Sequence, residues 1–472
     1  MNPSQRGVAR HLSALAAAAM LAGCSFMPQY ERPAAPVAAA FPVVGAAEPA
    51  SGTPAAALPW SDFLADARLR QLVPVALKNN RDLRIATLNV EQVRALLGVQ
   101  RADLLPNVGA GLQAAGGSQR SISAGVQISS YELDLFGRVK SLSEAAAARY
   151  LASDEGRRAA QVALIAAVAS ADLALRATDE LLAITERNQA SREEGLRLTR
   201  VRFDGGVAAE PELRVAESLL AAARVNVAAL RRQRLQGLNA LALLLGQPLP
   251  TDLPQALPLA QVVLPDLPVG LPSEVLLQRP DIRQSEQQLI AANANIGAAR
   301  AAFFPRISLT GSLGFASTDL SRLFDNSAWS FAGQLLQPLF DAGRNQANLE
   351  ATQAARAIAV AQYEKAIQQA FREVADALAG RATLGEQLAA QQAQAAAETR
   401  RLALAEILFQ GGIASALDRL DAERSALSAR QGVVQVQVAR LQNAVLMYSV
   451  LGGGAGDGAS QETPGQASRP AR

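Results

Sequence analysis

Apolar and polar residues alternate strictly in two stretches of this chain, and nearly everywhere else they recur with a helical period. In the first stretch Val108, Ala110, Leu112 and Ala114 are separated by Gly109, Gly111 and Gln113. After Gly116-Gly117-Ser118 the pattern resumes, with Ile122, Ala124, Val126 and Ile128 set against Ser121, Ser123, Gly125, Gln127 and Ser129. In the second stretch Ile307, Leu309, Leu313 and Phe315 interleave with Arg306, Ser308, Thr310, Ser312 and Gly314. Trp329, Phe331 and Leu335 follow a longer loop, where Ala332 and Leu336 blur the polar face. The pattern predicts two β-hairpins, at about 106–131 and 306–337. A hairpin half-buried on a soluble core alternates in the same way. The polar faces here are Ser, Gly and Gln in place of Lys and Glu, as expected of strands that line a transmembrane barrel. Four strands cannot close a barrel, and an open edge in lipid leaves backbone groups unpaired. Copies of the chain must then share one, and closure alone does not choose between two copies and three.

After each hairpin a glycine, Gly137 or Gly343, precedes a long run of good helix formers. Arg138 to Arg202 is 65 residues without a proline, roughly 98 Å as a helix. Arg344 to Gln410 is its counterpart. Each run ends at a glycine pair, Gly205-Gly206 or Gly411-Gly412, where left-handed backbone costs little. Return helices are expected over 211–245 and 417–450, the first roughly 52 Å long. A further helix starts at Pro280-Asp281 and ends near Phe303, adding roughly 35 Å. One long leg out and two shorter pieces back suit a cylinder of antiparallel helices interrupted partway along. After the signal no stretch is apolar enough to cross a membrane as a helix. Gln161–Ala171 comes nearest, fenced by Arg157, Arg158 and Asp172. Alanine stripes on these helices are read as faces of close packing.

The two halves are one pattern repeated. Asp82-Leu-Arg84 returns as Asp281-Ile-Arg283, and Leu104-Leu-Pro106 as Phe303-Phe-Pro305, both 199 residues later. Gly137-Arg138 returns as Gly343-Arg344, Phe203-Asp-Gly-Gly-Val207 as Phe409-Gln-Gly-Gly-Ile413, and Glu217 as Glu423, all 206 residues later. A constant register over that distance marks internal duplication. The segments expected are a signal at 1–23, an N-terminal linker at 24–59, a first repeat at 60–246, a Pro-rich linker at 247–272, a second repeat at 273–453 and a flexible tail at 454–472.

Composition narrows the chemistry. Arg6 and Arg10 precede an apolar run from Leu12 to Leu21, followed by Leu21-Ala22-Gly23-Cys24. This is the layout of a secretory signal, and Leu-Ala-Gly-Cys resembles the bacterial lipobox, with Cys24 as the acylated first residue of the mature chain. The formal charge of +3 includes Arg6 and Arg10, so a mature chain has 43 basic against 42 acidic residues. Such a balance offers nothing to nucleic acid. The single histidine, His11, leaves with the signal, and Cys24 is the single cysteine. Ser-His and Cys-His nucleophiles and His/Cys metal sites are then excluded. Aromatic content of 4% supplies an apolar ligand pocket poorly. An enzyme is not expected.

Several motifs together resemble the outer membrane factors, the TolC-like efflux ducts, in their NodT-type lipoprotein branch. They are Trp60-Ser-Asp-Phe63, Asn80-Arg-Asp-Leu83, Leu271-Pro-Ser273, Arg279-Pro-Asp-Ile282, Ala292-Asn-Ala-Asn-Ile-Gly297, Phe303-Phe-Pro-Arg-Ile307 and Leu420-Asp-Ala-Glu-Arg424. The resemblance implies a mainly α fold with a transmembrane β part. A long helical α-barrel joins four strands per chain, which contribute to a shared twelve-stranded β-barrel in a homotrimer of the outer membrane. Implied partners are a periplasmic adaptor and an inner-membrane pump of the resistance–nodulation–division type. The duct has no cofactor beyond the lipid on Cys24 and conducts drugs or other small molecules passively. An exit component for peptide secretion and a non-transporting structural lipoprotein are the alternatives. The resemblance also puts the tip turns Gly205, Gly206, Gly411 and Gly412 against the adaptor, and makes Leu417 and Asp421 the residues that narrow the aperture. Their counterparts in the first repeat are Pro211 and Val215, so one tip per chain carries the pair. Gln278 stands where the family often has a second basic residue before Arg279.

Overall fold

The structure, a computed structural model, describes residues 26–38, 40–41, 53–116, 120–268 and 277–455. Cys24 and Leu271-Pro-Ser273 lie outside the described residues. The chain is mainly helical, with four antiparallel strands. Helices α1 (Trp60–Phe63), α2 (Ala67–Asn79) and α3 (Arg81–Ala102) precede strands β1 (Val108–Ala115) and β2 (Ser121–Leu133). Next come α4 (Arg138–Asp204) and α5 (Glu210–Leu245), then α6 (Pro280–Ala301). Strands β3 (Arg306–Ser317) and β4 (Ser327–Leu336) lead into α7 (Arg344–Gln410) and α8 (Ala416–Val450). The chain divides into two compact units, and these do not coincide with the sequence repeats, since each draws on both halves.

The first unit contains the sheet, with strands in the order β1-β2-β3-β4. Its register aligns the alternating apolar sets on one face: Ala110 pairs with Val126, Val126 with Leu313, and Leu313 with Trp329. That face is bare, with Trp329 78% exposed. On the other face the Ser312 and Ser330 hydroxyls share a hydrogen bond of 2.7 Å. A register shift between Ile128 and Tyr131 was not foreseen. Ser129 and Ser130 bulge there, Ser130 taking φ 52° and donating its N–H to Thr310 Oγ1. The extra residue keeps Tyr131 and Leu133 on the apolar face, which an unbroken alternation would have reversed. Gly125 and Gly314 pair across the sheet, and a Cβ on Gly314 would strike the Ala124 carbonyl.

The first described part of the N-terminal linker lies along α6. Arg32 clasps Glu286 through Nε and Nη2 at 2.6 and 3.0 Å, and the Tyr30 hydroxyl donates to the same carboxylate at 3.0 Å. Asn293 donates to the Pro28 carbonyl at 2.8 Å, and Phe26 stacks on Phe304 at 4.4 Å. Burial and the neighbouring Glu286 both push the Tyr30 phenol upward.

The second unit holds the main core, including Phe63, Leu69, Leu72, Val73, Val168, Leu173, Leu241, Leu245, Leu259, Val374 and Tyr448. Phe63 stacks on Tyr448 at 4.2 Å, so the first short helix is tied to the end of α8. The Pro-rich linker is packed against the helices. Leu259 is buried, its N–H donates to Glu180, and its carbonyl accepts from Gln437. Beneath the linker, buried Asp172 receives Arg68 and Arg176, and Arg176 also reaches Asp66, the N-cap of α2. Burial opposes ionisation of Asp66, but the Arg176 guanidinium and two backbone N–H donors outweigh it and hold the carboxyl low. Arg279 joins Glu373 at 2.7 Å without help from a basic residue at position 278. After α8 the chain turns back through Gly452 and Gly453, both buried, and the Gly454 carbonyl accepts from Gln161. The expectation about membrane-crossing helices needs correction. One window of α4 has a mean hydropathy of 1.5, long and apolar enough to cross a membrane by length and composition, and half of it is buried within the chain. The buried half of that window, including Val168, Ala169 and Leu173, packs within the core.

Candidate functional site

Two helix hairpins, α4–α5 and α7–α8, end in turns of the same construction. Gly206 and Gly412 both take φ +73°, a left-handed conformation that glycine adopts without a Cβ penalty. The Gly206 N–H donates to the Phe203 carbonyl, and the Val207 N–H to Arg202. In the second turn Gly412 N–H donates to Phe409, and Ile413 N–H to Leu408. Both are Schellman caps, which satisfy carbonyls that a helix end would otherwise leave open. Gly205 and Gly411 each complete the last helical turn, donating to Val201 and Ile407. Each tip leaves an aliphatic side chain, Val207 or Ile413, exposed.

The two return helices begin differently. In α5 Ala209 caps without a side-chain bond, and Pro211 sits in the first turn. In α8 Ser415 forms a full capping box with Asp418: Ser415 Oγ accepts from the Asp418 N–H, and Asp418 accepts from the Ser415 N–H. The Ser-x-x-Asp spacing ahead of a helical run is the signal of this cap in the sequence. The Ser415 hydroxyl holds the Asp418 carboxyl below its ordinary range.

Leu417 is 75% exposed at this start. One turn later Asp421 accepts from Arg401 at 3.2 and 3.3 Å and from Arg424 at 2.7 Å. The Arg401 bond, then the Arg424 bond, lowers the Asp421 pKa. The two residues expected to act as a pair therefore differ in engagement. Leu417 lines a cleft of about 690 Å³ together with Pro211, Val215, Leu219, Phe409 and Leu420, whereas Asp421 is held by α7 and its own helix. Arg419 does not attend Asp421; it lies 5.1 Å over the Phe409 ring and pairs with Glu406.

Glu217 and Glu423 are equivalent in the repeat but do different things. Glu217 stays within the first hairpin, bound to Arg200 and Arg214. Glu423 crosses to the other hairpin, where Arg192 Nη1 meets it at 3.1 Å and Ser191 Oγ at 3.2 Å. The first hairpin is also zipped by Arg200–Glu217, Glu193–Arg224 and Glu186–Arg231. Successive partners are seven residues apart on both helices, an ion ladder of coiled-coil type. The second hairpin lacks that ladder, because Thr399 and Gln392 replace Glu193 and Glu186, and Gln437 replaces Arg231. Arg192 was not singled out from the sequence, where a lone arginine in a charged helix gives no cue to a distant partner. Among the described residues no group of His, Cys, Asp and Glu is arranged to hold a metal ion.

Comparison with known proteins identifies what these hairpins and strands belong to. The family described as "Outer membrane efflux protein" matches residues 72–247 and 271–453. The chain is 44% identical over 455 residues to the solvent efflux pump outer membrane protein SrpC of Pseudomonas putida, covering 92% of this chain and 96% of that protein. It is 43% identical to the outer membrane protein OprJ of Pseudomonas aeruginosa, covering 95% and 97%. Among solved structures, the open-state MtrE outer membrane channel of Neisseria gonorrhoeae superposes with a TM-score of 0.83 at 41% identity, covering 92% of this chain and 99% of that one. The chain belongs to the outer membrane efflux protein family and is an efflux duct of the outer membrane.

Proposed function

We propose that three copies of this chain form the exit duct of a tripartite efflux assembly, passing drugs or other small molecules from a periplasmic adaptor and an inner-membrane pump to the outside. The observation that carries this reading is the sheet. Its apolar face is bare and its two outer strands, β1 and β4, have no partner on their outer edges among the described residues. In lipid each unpaired backbone group costs several kcal/mol, so β4 of one copy pairs with β1 of the next. Three copies supply twelve strands, enough for a channel and matching the family expectation.

In this reading the lipid on Cys24 anchors each chain to the outer membrane. The turns at Gly205-Gly206 and Gly411-Gly412 meet the adaptor, offering Val207 and Ile413 as apolar contacts. Leu417 and Asp421 narrow the aperture. The duct needs no chemistry of its own, since a water-filled path lined by Ser, Gln and Gly lets solutes move down their gradient while the pump supplies the work.

Planar-bilayer recording of the purified protein tests this. Leu417→Ala with Asp421→Ala is expected to open channels of larger and steadier conductance than the parent. A stalk or adhesive protein gives no channels with any tip substitution.

A further inference from the structure

The sheet end joined to the helices carries a charged cavity that the duct reading leaves unused. It occupies about 270 Å³ between the ends of β2 and β4, the start of β3 and the starts of α4 and α7. Three carboxylates line it, and each is already engaged. Glu132 takes Arg138 through both oxygens at 2.8 and 2.7 Å. Asp134 accepts from the Val139 and Lys140 N–H groups. Asp341 accepts from the Gly343 and Asn345 N–H groups. The cavity also holds two arginines that are bound loosely or not at all. Arg306 is half-exposed and meets Glu132 only at 3.5 Å, and Arg344 has no ion pair among the described residues. Immediately beside them the turn after β4 presents Leu339 and Phe340, 94% and 90% exposed.

We propose that this cavity binds the phosphate of an anionic glycerophospholipid in the periplasm-facing leaflet of the outer membrane. Arg306 and Arg344 hold the headgroup, and the acyl chains lie along Leu336, Leu339 and Phe340. The chemistry fits in both parts. Guanidinium donates in a fork that matches phosphate oxygens, and an apolar turn next to a cationic cleft matches a ligand that is charged at one end and apolar at the other. A zwitterionic headgroup would place its ammonium among the arginines and bind less well. The proposal rests on the strands lying in the outer membrane.

The test is native mass spectrometry of the intact, delipidated assembly, titrated separately with phosphatidylglycerol, phosphatidylethanolamine and inorganic phosphate. The parent is expected to retain phosphatidylglycerol in preference to phosphatidylethanolamine, and millimolar inorganic phosphate is expected not to displace it. Arg344→Gln, a change at a side chain with no ion pair among the described residues, should weaken phosphatidylglycerol by about tenfold. Arg344→Lys should recover most of that, and adding Arg306→Gln should deepen the loss. Equal retention of both lipids, an unchanged affinity in Arg344→Gln, or displacement by inorganic phosphate would overturn the proposal. Channel conductance recorded from the same preparations separates the two readings: intact channels without lipid selectivity sink the lipid site alone.

Discussion

Arg192 on α4 and Glu423 on α8 meet at 3.1 Å with side chains only 11% and 14% exposed, joining the two helix hairpins of one chain near their tips. Burial presses on the Arg192 guanidinium and lowers its pKa, with Glu423 as the opposing influence and Arg419 adding to the lowering. An ion pair this sheltered is costly to break from one side, because the remaining charge is left without a partner. Glu423→Ala is therefore expected to destabilise the contact between hairpins by about 3 kcal/mol. Amide hydrogen exchange over the first turns of α8 should quicken, and Arg192→Ala combined with Glu423→Ala should exchange more slowly than Glu423→Ala alone. Unchanged exchange in the single variant would show the pair to be incidental.

Asp421 is neutralised by two guanidiniums, so its removal alters the aperture more through what it releases than through what it takes away. Asp421→Ala frees Arg424 and leaves Arg401 with Glu398 as its remaining carboxylate. Reversal potentials in a salt gradient should shift toward anion selectivity. Because Arg401 and Arg424 lower the Asp421 pKa, the contribution of these pairs is present above the ordinary aspartate value and is lost as pH falls through the lowered one. Between about pH 5 and 8 this group should leave conductance unchanged. A conductance step in that window which Asp421→Ala abolishes would contradict the assignment.

The ion ladder of the first hairpin predicts a difference in salt response between the two hairpins. Each exposed pair contributes only modestly at low ionic strength and little at high. Glu186→Gln, Glu193→Gln and Glu217→Gln together should speed exchange in α4–α5 at low salt, and the difference from the parent should fade near molar salt. The second hairpin keeps its own pairs, Arg401–Asp421 and Arg419–Glu406, so its exchange should be the same in the triple variant and the parent at every salt concentration. A variant-minus-parent difference that persists at molar salt, or one of equal size in both hairpins, would be inconsistent with the ladder.

Two positions in the sheet should respond in opposite ways. Gly314→Val places a Cβ against the Ala124 carbonyl and against Gly125, so strand pairing and assembly into a heat-resistant oligomer should fail. Ser130, held at φ 52° in the bulge, tolerates Ser130→Gly, with a gain of about 1 kcal/mol in local stability offset in part by unfolded-chain entropy. Semi-native electrophoresis of the two variants distinguishes them.

Much of this architecture was legible in the residues, for physical reasons that differ by element. The long helices and their ends could be read because Gly206 and Gly412 stand where a left-handed turn is required and helix formers fill the interval between. The strands could be read from period two, and the register then put Val126, Leu313 and Trp329 in one row. The bulge at Ser129-Ser130 was hidden, since serine carries no strong turn signal and the alternation merely slips by one. The ordered path of residues 28–32 was hidden too. Proline and alanine composition suggests mobility, whereas Glu286, far away in sequence, supplies the anchor for Arg32 and Tyr30. The Arg192–Glu423 link was illegible because a pairing between hairpins depends on how two coiled segments dock. Cys24 lies outside the described residues, so its acylation stands on the lipobox alone.

One chain offers a third of the barrel wall, four strands of twelve, and two identical neighbours complete the pore. The mass of the detergent-solubilised protein, measured natively from outer membranes, tests this most directly. Three chains per particle, kept together until the sheet is unfolded, is the predicted result; a stable particle of one chain with its apolar strand face buried internally would contradict it.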